Sequence, residues 1–266
     1  MSAAPGAAEV RAWVAQAGRI CVLTGAGIST DSGIPDFRGP AGLWTKDPGA
    51  ERLSDLRHYR ADLDLRRRVW RNRLEHPARG ARPNAGHLAL AALERQGRLD
   101  TLITQNIDGL HQAAGTSPER LVELHGSMRE VICLDCRRRG PMEQALARVR
   151  QGELDPACRE CGGILKSATI SFGEPLGGRD LGRAQAAARR CDLFLAVGTS
   201  LQVFPAAELP AIALRRGTPL VVVNAQPTGY DRLAKAVLQD PISQVLPRLV
   251  GNDPDDEGPG EVRAQS

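Results

Sequence analysis

The sequence predicts an α/β protein built on a mainly parallel sheet. Five short apolar runs, at 20–23, 102–104, 121–124, 193–197 and 220–223, lack internal polar alternation, as strands buried on both faces do. Segments with helical periodicity lie between several of them, which implies helices covering both faces of the sheet. Each run also ends in polar residues, and in an open parallel sheet ligands gather beyond those ends.

Taken in order, the run Ile20-Cys21-Val22-Leu23 leads into TGAGISTDSGIPDFRG, residues 24–39. Gly25 and Gly27 let the backbone approach a pyrophosphate closely, as in a dinucleotide fingerprint. The match is partial, because Thr30 holds the last glycine position and no clear acidic residue follows about twenty positions on. A hydride-transferring dehydrogenase usually carries both, so the stretch suggests a dinucleotide bound in a modified way. Asn84 can cap a helix through HLALAALERQ, with Gly97 just past its end, and further helices are expected at 184–190 and 206–216. The second run ends in Gln105-Asn106-Ile107-Asp108, the third in His125-Gly126, the fourth in Gly198-Thr199-Ser200 and the fifth in Asn224. Asn106 and Asp108 have groups that match a carboxamide and ribose hydroxyls, and equally they could be turn formers.

Two CxxC pairs, Cys133/Cys136 and Cys158/Cys161, are separated by 21 residues. Two thiolates three positions apart wrap one side of a tetrahedral ion and a second pair closes it, which is the pattern of a structural zinc site. A thioredoxin-like redox pair would leave the second CxxC unexplained. Cys21 and Cys191 sit in apolar runs and read as small core residues.

Composition sets the remaining bounds. A chain of 266 residues buries a sizeable core as one large domain or a domain with an insertion. The formal charge of +4 is a modest arginine excess, which argues against a nucleic-acid partner. No apolar run approaches the roughly 20 residues needed to span a bilayer. The start MSAAPGAAEV has no signal-peptide pattern, so a cytoplasmic location is expected.

The blocks GAGIS, GIPDFRG, TQNIDGLH, ELHG, the two CxxC pairs, SFGE, GTSL and VN occur in the order and near the spacing of one family. From about residue 10 to residue 250 the chain resembles the sirtuins, the NAD-dependent protein-lysine deacylases. GPAGLWT, ARPNAGH and NAQPT look most like the class IV branch, whereas Ser171-Phe172-Gly173-Glu174 retains the FGE of other branches.

The resemblance implies a Rossmann-like NAD-binding domain at 9–44, 83–127 and 170–250, with a small domain made of a helical insertion at 45–82 and a zinc-binding insertion at 128–169. Residues 1–8 and 251–266 are expected to be disordered tails. The implied reaction moves the acyl group of a lysine side chain onto ADP-ribose, releasing nicotinamide, free lysine and O-acyl-ADP-ribose. His125 is the implied general base, with Asn106 beside it in the catalytic set. The implied NAD contacts are Gly25, Ala26, Gly27, Ser29, Asp36, Phe37, Arg38 and Trp44, then Gln105, Asn106 and Asp108, then Gly198, Thr199, Ser200, Asn224 and Ile242. Phe37 would shield the reacting ribose face from water, and Asp108 would receive the nicotinamide carboxamide. Ile170, Phe172, Gly173 and Glu174 would bind the acyl-lysine peptide as an added strand. Cys133, Cys136, Cys158 and Cys161 would hold one zinc ion.

Five histidines compete for the base. His58 and His76 lie in arginine-rich sequence expected to be exposed, and His87, early in a helix, suits a structural role. His111 is close to the QNID tip, but His125 stands at a strand end before Gly126 and in the matching ELHG block. Its reference pKa suits general-base work near neutral pH. No Tyr-x-x-Arg pair, which in another branch reads acidic acyl groups, occurs in the helical insertion; Tyr59 is followed three positions later by Asp62. A neutral acyl group, acetyl or longer, is therefore expected. Two other readings remain open: ADP-ribosyl transfer or NAD hydrolysis at the same site, and a non-enzymatic zinc-stabilised interaction module.

Overall fold

The computed structural model describes residues 6–40 and 42–251. Among the described residues nine strands form two sheets: β1 (Ile20–Thr24), β2 (Leu99–Thr104), β3 (Leu121–Glu123), β4 (Gly126–Cys133), β5 (Arg139–Pro141), β6 (Leu165–Thr169), β7 (Leu193–Val197), β8 (Leu220–Val223) and β9 (Ala236–Leu238). The larger sheet has the order β3-β2-β1-β7-β8-β9, with every neighbouring pair parallel. Ranked within this sheet, the order is 3-2-1-4-5-6, the doubly wound arrangement. The order reverses between β1 and β7, and the crevice beyond their C-terminal ends is where such folds bind ligands.

Alternation along β1 explains why the sheet needs cover on both faces. Ile20 and Val22 join a core cluster with Val10, Val14, Leu90, Leu93, Val245 and Leu246, which come from the helices Ala7–Gln16, Ala85–Arg95 and Ile242–Val250. Cys21 and Leu23 face the opposite cluster, with Ala184, Ala187 and Ala188 of helix Gly178–Arg190 and Leu209 and Ile212 of helix Leu209–Leu214. Both cysteines outside the CxxC pairs are buried. The cap expected at Asn84 is present: its Oδ1 accepts from the N–H of Gly86 at 3.0 Å and of His87 at 3.4 Å.

Several boundaries differ from expectation. The first helix begins at Ala7, inside the stretch expected as a tail, with Gly6 as its N-cap. The rest of that tail, residues 1–5, and residues 252–266 lie outside the described residues. The helix expected at 206–216 is a 3-10 turn, Ala206–Glu208, followed by Leu209–Leu214 with Pro210 in its first turn. A proline there supplies a preset φ and needs no intrahelical donor.

The smaller sheet is antiparallel, in the order β5-β4-β6. It packs Val131, Cys133 and Leu165 against Trp70 of helix Leu63–Glu75 and against Met142, Leu146 and Val149 of helix Met142–Arg150. Residues of both sequence insertions thus share one core. Tyr59 ties them further, its buried hydroxyl donating to the Leu165 carbonyl at 2.7 Å. Burial pushes the Tyr59 pKa well above that of an ordinary phenol, so the hydroxyl stays protonated as donor. Tyr59→Phe leaves that carbonyl unpaired and is expected to cost about 1–3 kcal/mol, read as a lower urea midpoint with an unchanged m-value.

Candidate functional site

The sheet itself registers the five polar tips. Gln105 N–H donates to Thr24 O at 3.0 Å, Leu124 N–H to Thr104 O at 2.9 Å, Gly25 N–H to Val197 O at 3.0 Å, Gly198 N–H to Val223 O at 2.8 Å and Asn224 N–H to Leu238 O at 3.0 Å. Each ladder therefore runs one residue past its strand, which fixes where the polar side chains begin. The tips of β1 and β7 touch: a Cβ on Gly25 would lie 2.7 Å from the Gly198 carbonyl and 2.8 Å from Thr199 Cβ. Only glycine permits that approach, and the 3-10 segment Ala26–Ser32 starts there with no side chain capping its first turn.

Beyond these tips a determined hydrogen-bond network joins three elements. Ser29 Oγ donates to Asp108 Oδ2 at 2.8 Å and accepts from Asn106 Nδ2 at 3.1 Å, while Asn106 Nδ2 also reaches Gly25 O at 3.1 Å. His87 Nδ1 accepts from Asn84 N–H at 3.4 Å, so its Nε2 carries the proton facing Ser29 Oγ at 3.5 Å. Burial pushes the His87 pKa down to about 4, so this ring is neutral near physiological pH. Ser29 thereby ties Asn106 to Asp108, whose Oδ1 also accepts from Leu110 N–H at 2.9 Å as a turn former; the carboxylate's remaining lone pairs and the Asn106 amide oxygen are groups that a carboxamide or ribose hydroxyls can meet. Gln105 Nε2 donates to Thr199 Oγ1 at 2.9 Å, linking the tips of β2 and β7.

His125 is half-buried at the third tip. Its Nδ1 lies 2.9 Å from the Gln105 carbonyl. A carbonyl only accepts, so Nδ1 bears the hydrogen and Nε2 keeps the lone pair that a base requires. Burial lowers the His125 pKa from 6.5, with the Gln105 carbonyl opposing it. Gly126 has φ +72° and a Cβ there would fall 2.2 Å from Ala168 O, so glycine is what lets the chain turn from β3 into β4 beside the histidine.

The other histidines are occupied differently. His111 is buried, with Nε2 3.0 Å from Thr24 Oγ1, which in turn donates to Thr104 Oγ1 at 2.9 Å. Thr24 must then accept from His111 Nε2–H, and the lone pair left on Nδ1 is buried without a partner among the described residues, which is what separates this ring from the half-buried His125. His58 and His76 are half-buried rather than exposed. His58 pairs with Asp55 at 3.0 Å, and His76 Nδ1 accepts from Ala78 N–H at 3.1 Å, because each ring closes a turn beside its helix end.

Three aromatic rings, from the segment after β1 and from the segment after β6, stand together. Phe37 and Trp44 have centroids 4.8 Å apart, Trp44 and Phe172 5.8 Å apart, and the Arg38 guanidinium lies 4.5 Å over Trp44. Asp36 turns inward, accepting from Gly39 N–H at 3.0 Å, so its carboxylate shapes the loop that carries Phe37. Ile242 is half-buried, its Cγ2 against Gly86, while neighbouring Ser243 donates to Asp31 at 2.5 Å. Asn224 is buried and Ser200 half-buried at their tips. In the expected peptide segment, Ile170 N–H donates to His125 O at 2.8 Å. Phe172 donates to Ser54 O at 2.7 Å and accepts from Leu56 N–H at 3.1 Å. The Phe172 N–H and carbonyl are therefore both committed within the chain. The Thr24, Thr104 and His111 network and the buried Lys166 were not anticipated, because both lie inside runs whose polar members look incidental.

The four CxxC sulfurs lie within 4.8 Å of one another. Cys133 Sγ and Cys161 Sγ are 3.6 Å apart, and Cys136 Sγ and Cys158 Sγ 3.7 Å apart. A disulfide needs about 2.05 Å, whereas a zinc tetrahedron with arms of about 2.3 Å has edges of about 3.8 Å. The cluster fits one zinc ion with no open coordination position.

Comparison with known proteins agrees with this arrangement. The family model described as the Sir2 family matches residues 25–205. NAD-dependent protein deacetylase 2 of Streptomyces coelicolor is 52% identical over 87% of this chain and 96% of its own length. The NAD-dependent protein deacetylase of Thermodesulfovibrio yellowstonii is 44% identical over 84% of this chain and 86% of its own. Among solved structures, a Sir2 mutant with a deacetylated p53 peptide and 3'-O-acetyl ADP ribose aligns with a TM-score of 0.85 at 33% identity, covering 93% of this chain and 98% of that one. A Sir2 complex with a p53 peptide and NAD+ aligns with a TM-score of 0.82 at 33% identity and the same coverage. From its doubly wound sheet, its four-cysteine cluster and these matches, the chain belongs to the Sir2 family, the sirtuins.

Proposed function

We propose that this chain is an NAD-dependent protein-lysine deacetylase, and that His125, Asn106, Asp108 and Ser29 form the centre of its site. The observation that carries the reading is the His125 ring at the third strand tip, held through Nδ1–H by the Gln105 carbonyl so that Nε2 keeps its lone pair. NAD, when bound, supplies an electrophilic ribose carbon and a nicotinamide leaving group. Asn106 and Asp108, set by Ser29, orient the ribose and carboxamide, which is the positioning that a weak amide nucleophile needs. Phe37, exposed on its loop beside Trp44, keeps water from the reacting face. His125 Nε2 takes the proton from a ribose hydroxyl. The segment 170–174 receives the acyl-lysine peptide. The four cysteines hold zinc, which supplies structure alone.

Two contacts favour a neutral acyl group. The Tyr59 hydroxyl is committed to Leu165 O, and Asp62, a carboxylate that accepts from Leu65 N–H at 2.9 Å, would repel an acidic acyl chain. The class IV placement rests on GPAGLWT, ARPNAGH and NAQPT. We assign the large domain to 9–44, 83–127 and 170–250 and the small domain to 45–82 and 128–169, in a cytoplasmic enzyme. Among the described residues no helix is long and apolar enough to cross a membrane.

Incubation with NAD and a panel of peptides differing only in the acyl group tests the reading. Nicotinamide, deacylated peptide and O-acyl-ADP-ribose should appear in equal amounts by mass spectrometry, with acetyl ahead of succinyl. Nicotinamide release without acyl-lysine, together with ADP-ribose attached to protein, would instead mark an ADP-ribosyltransferase.

A further inference from the structure

A lysine in the middle of a buried strand is costly unless its charge is met. Lys166 occupies such a place in β6 and is 4% exposed. Its Nζ lies 2.8 Å from Glu174 Oε2 and 3.4 Å from both the Ser167 carbonyl and Ser171 Oγ, and it donates to the Thr169 carbonyl. Glu174 Oε2 also accepts from the Ser171 N–H at 2.9 Å, and Glu174 N–H returns to Ser171 O at 3.0 Å. All these partners fall within 167–174, so one ammonium and one carboxylate organise the turn that leaves β6 and becomes the expected peptide segment.

The electrostatic surroundings make the pair mutually dependent. Burial lowers the Lys166 pKa, and Arg73 and Arg137 push the same way; Glu174 opposes all three. Glu174 in turn is held below the usual carboxylate range by Lys166 and Ser171, against its own burial. The hydrogen bonds and ion pair of both side chains close within 166–174. The mechanical connection to the site runs through the backbone, since Ile170 N–H binds His125 O and Phe172 binds Ser54 and Leu56.

We propose that Lys166 is a positioning residue for peptide binding: through Glu174 and the carbonyls of Ser167 and Thr169 it holds segment 170–174 in the shape that accepts the acyl-lysine peptide. The inference rests on the reading that this segment binds the peptide. It assigns Glu174 a role in shaping the segment from beneath, with its side chain turned away from the peptide.

The test is steady-state kinetics of the zinc-loaded enzyme with NAD and an acetyl-lysine peptide, on K166M, K166R, E174Q, the double variant K166M/E174Q and F172A. K166M is expected to raise the peptide KM about tenfold, a change of about 1.4 kcal/mol by the tenfold constant. The NAD KM and kcat should stay within twofold, and K166R should recover most of the loss. E174Q should mimic K166M. The double variant should be less impaired than the sum of the singles, because it leaves no lone buried charge. F172A separates the two levels of argument. If F172A raises the peptide KM while K166M and E174Q do not, the positioning role is wrong and the segment reading stands. If none of the three moves it, the segment does not bind peptide. Should K166M lose zinc or fail to fold, E174Q and K166R carry the decision. Parallel loss of kcat and of NAD affinity in E174Q would show a merely structural pair and overturn the proposal.

Discussion

Replacing His125 by alanine is expected to lower kcat about 10²- to 10⁴-fold, the range lost with a positioned general base. NAD and peptide affinities should change only a few-fold, because neither Asn106, Asp108 nor Ser29 leans on the imidazole. The pH profile gives the second readout. The base must be neutral, and below its pKa the ring is protonated and has no lone pair to offer. Burial lowers that pKa from 6.5 in the free enzyme, so the acid limb of kcat/KM should lie below pH 6.5 and activity should persist at that pH. The alanine variant should lose this limb. Full turnover by the variant, or a wild-type limb centred above 6.5, would contradict the assignment.

Stripping the metal is expected to have the other large effect. Structural zinc sites of this kind contribute about 10–16 kcal/mol of apparent binding free energy at neutral pH, all of it available only to the folded site. Chelation should release one zinc per chain, abolish activity and melt the segment containing β4, β5 and β6, whose core includes Cys133 and Cys158 themselves. Hydrogen exchange by mass spectrometry should show loss of protection there first, while β1, β7 and β8 remain protected. Re-adding zinc should restore both. Activity surviving complete zinc loss would show that the cluster is not needed for the fold.

How far the sequence disclosed this molecule varied with the kind of residue. β7 and β8 were recognisable with their observed limits because Leu193–Val197 and Leu220–Val223 are uninterrupted apolar runs buried on both faces. β9 was missed: Ala236–Leu238 is three residues between Lys235 and Gln239, too short to show a period. β4 was hidden by Ser127, Arg129 and Glu130, and β6 by Lys166, because a strand whose polar members are paired internally reads as loop. At the site, residue types chosen for a ligand were legible, whereas residues that hold those residues were not. Ser29 could be named from GAGIS, but its anchoring to His87 and Asp108 joins positions 58 and 79 apart in the chain. Asp36 and Glu174 show that a carboxylate in a functional loop carries no sign in the sequence of which way it faces. Both turn inward, to Gly39 and to Lys166.

β4 starts at Gly126, directly after His125, and ends at Cys133, while β6 runs back beside it from the second cysteine pair to Thr169 and on to the peptide segment. Eight residues of strand span about 26 Å, so a zinc ion at the four cysteines would grip the far ends of two arms whose near ends carry His125 and the proposed peptide segment. The arrangement works as a pair of tongs with its rivet well away from its tips. Altering the rivet should change how the tips meet without adding any chemistry, and a metal of different bond length would be felt as a shift in alignment.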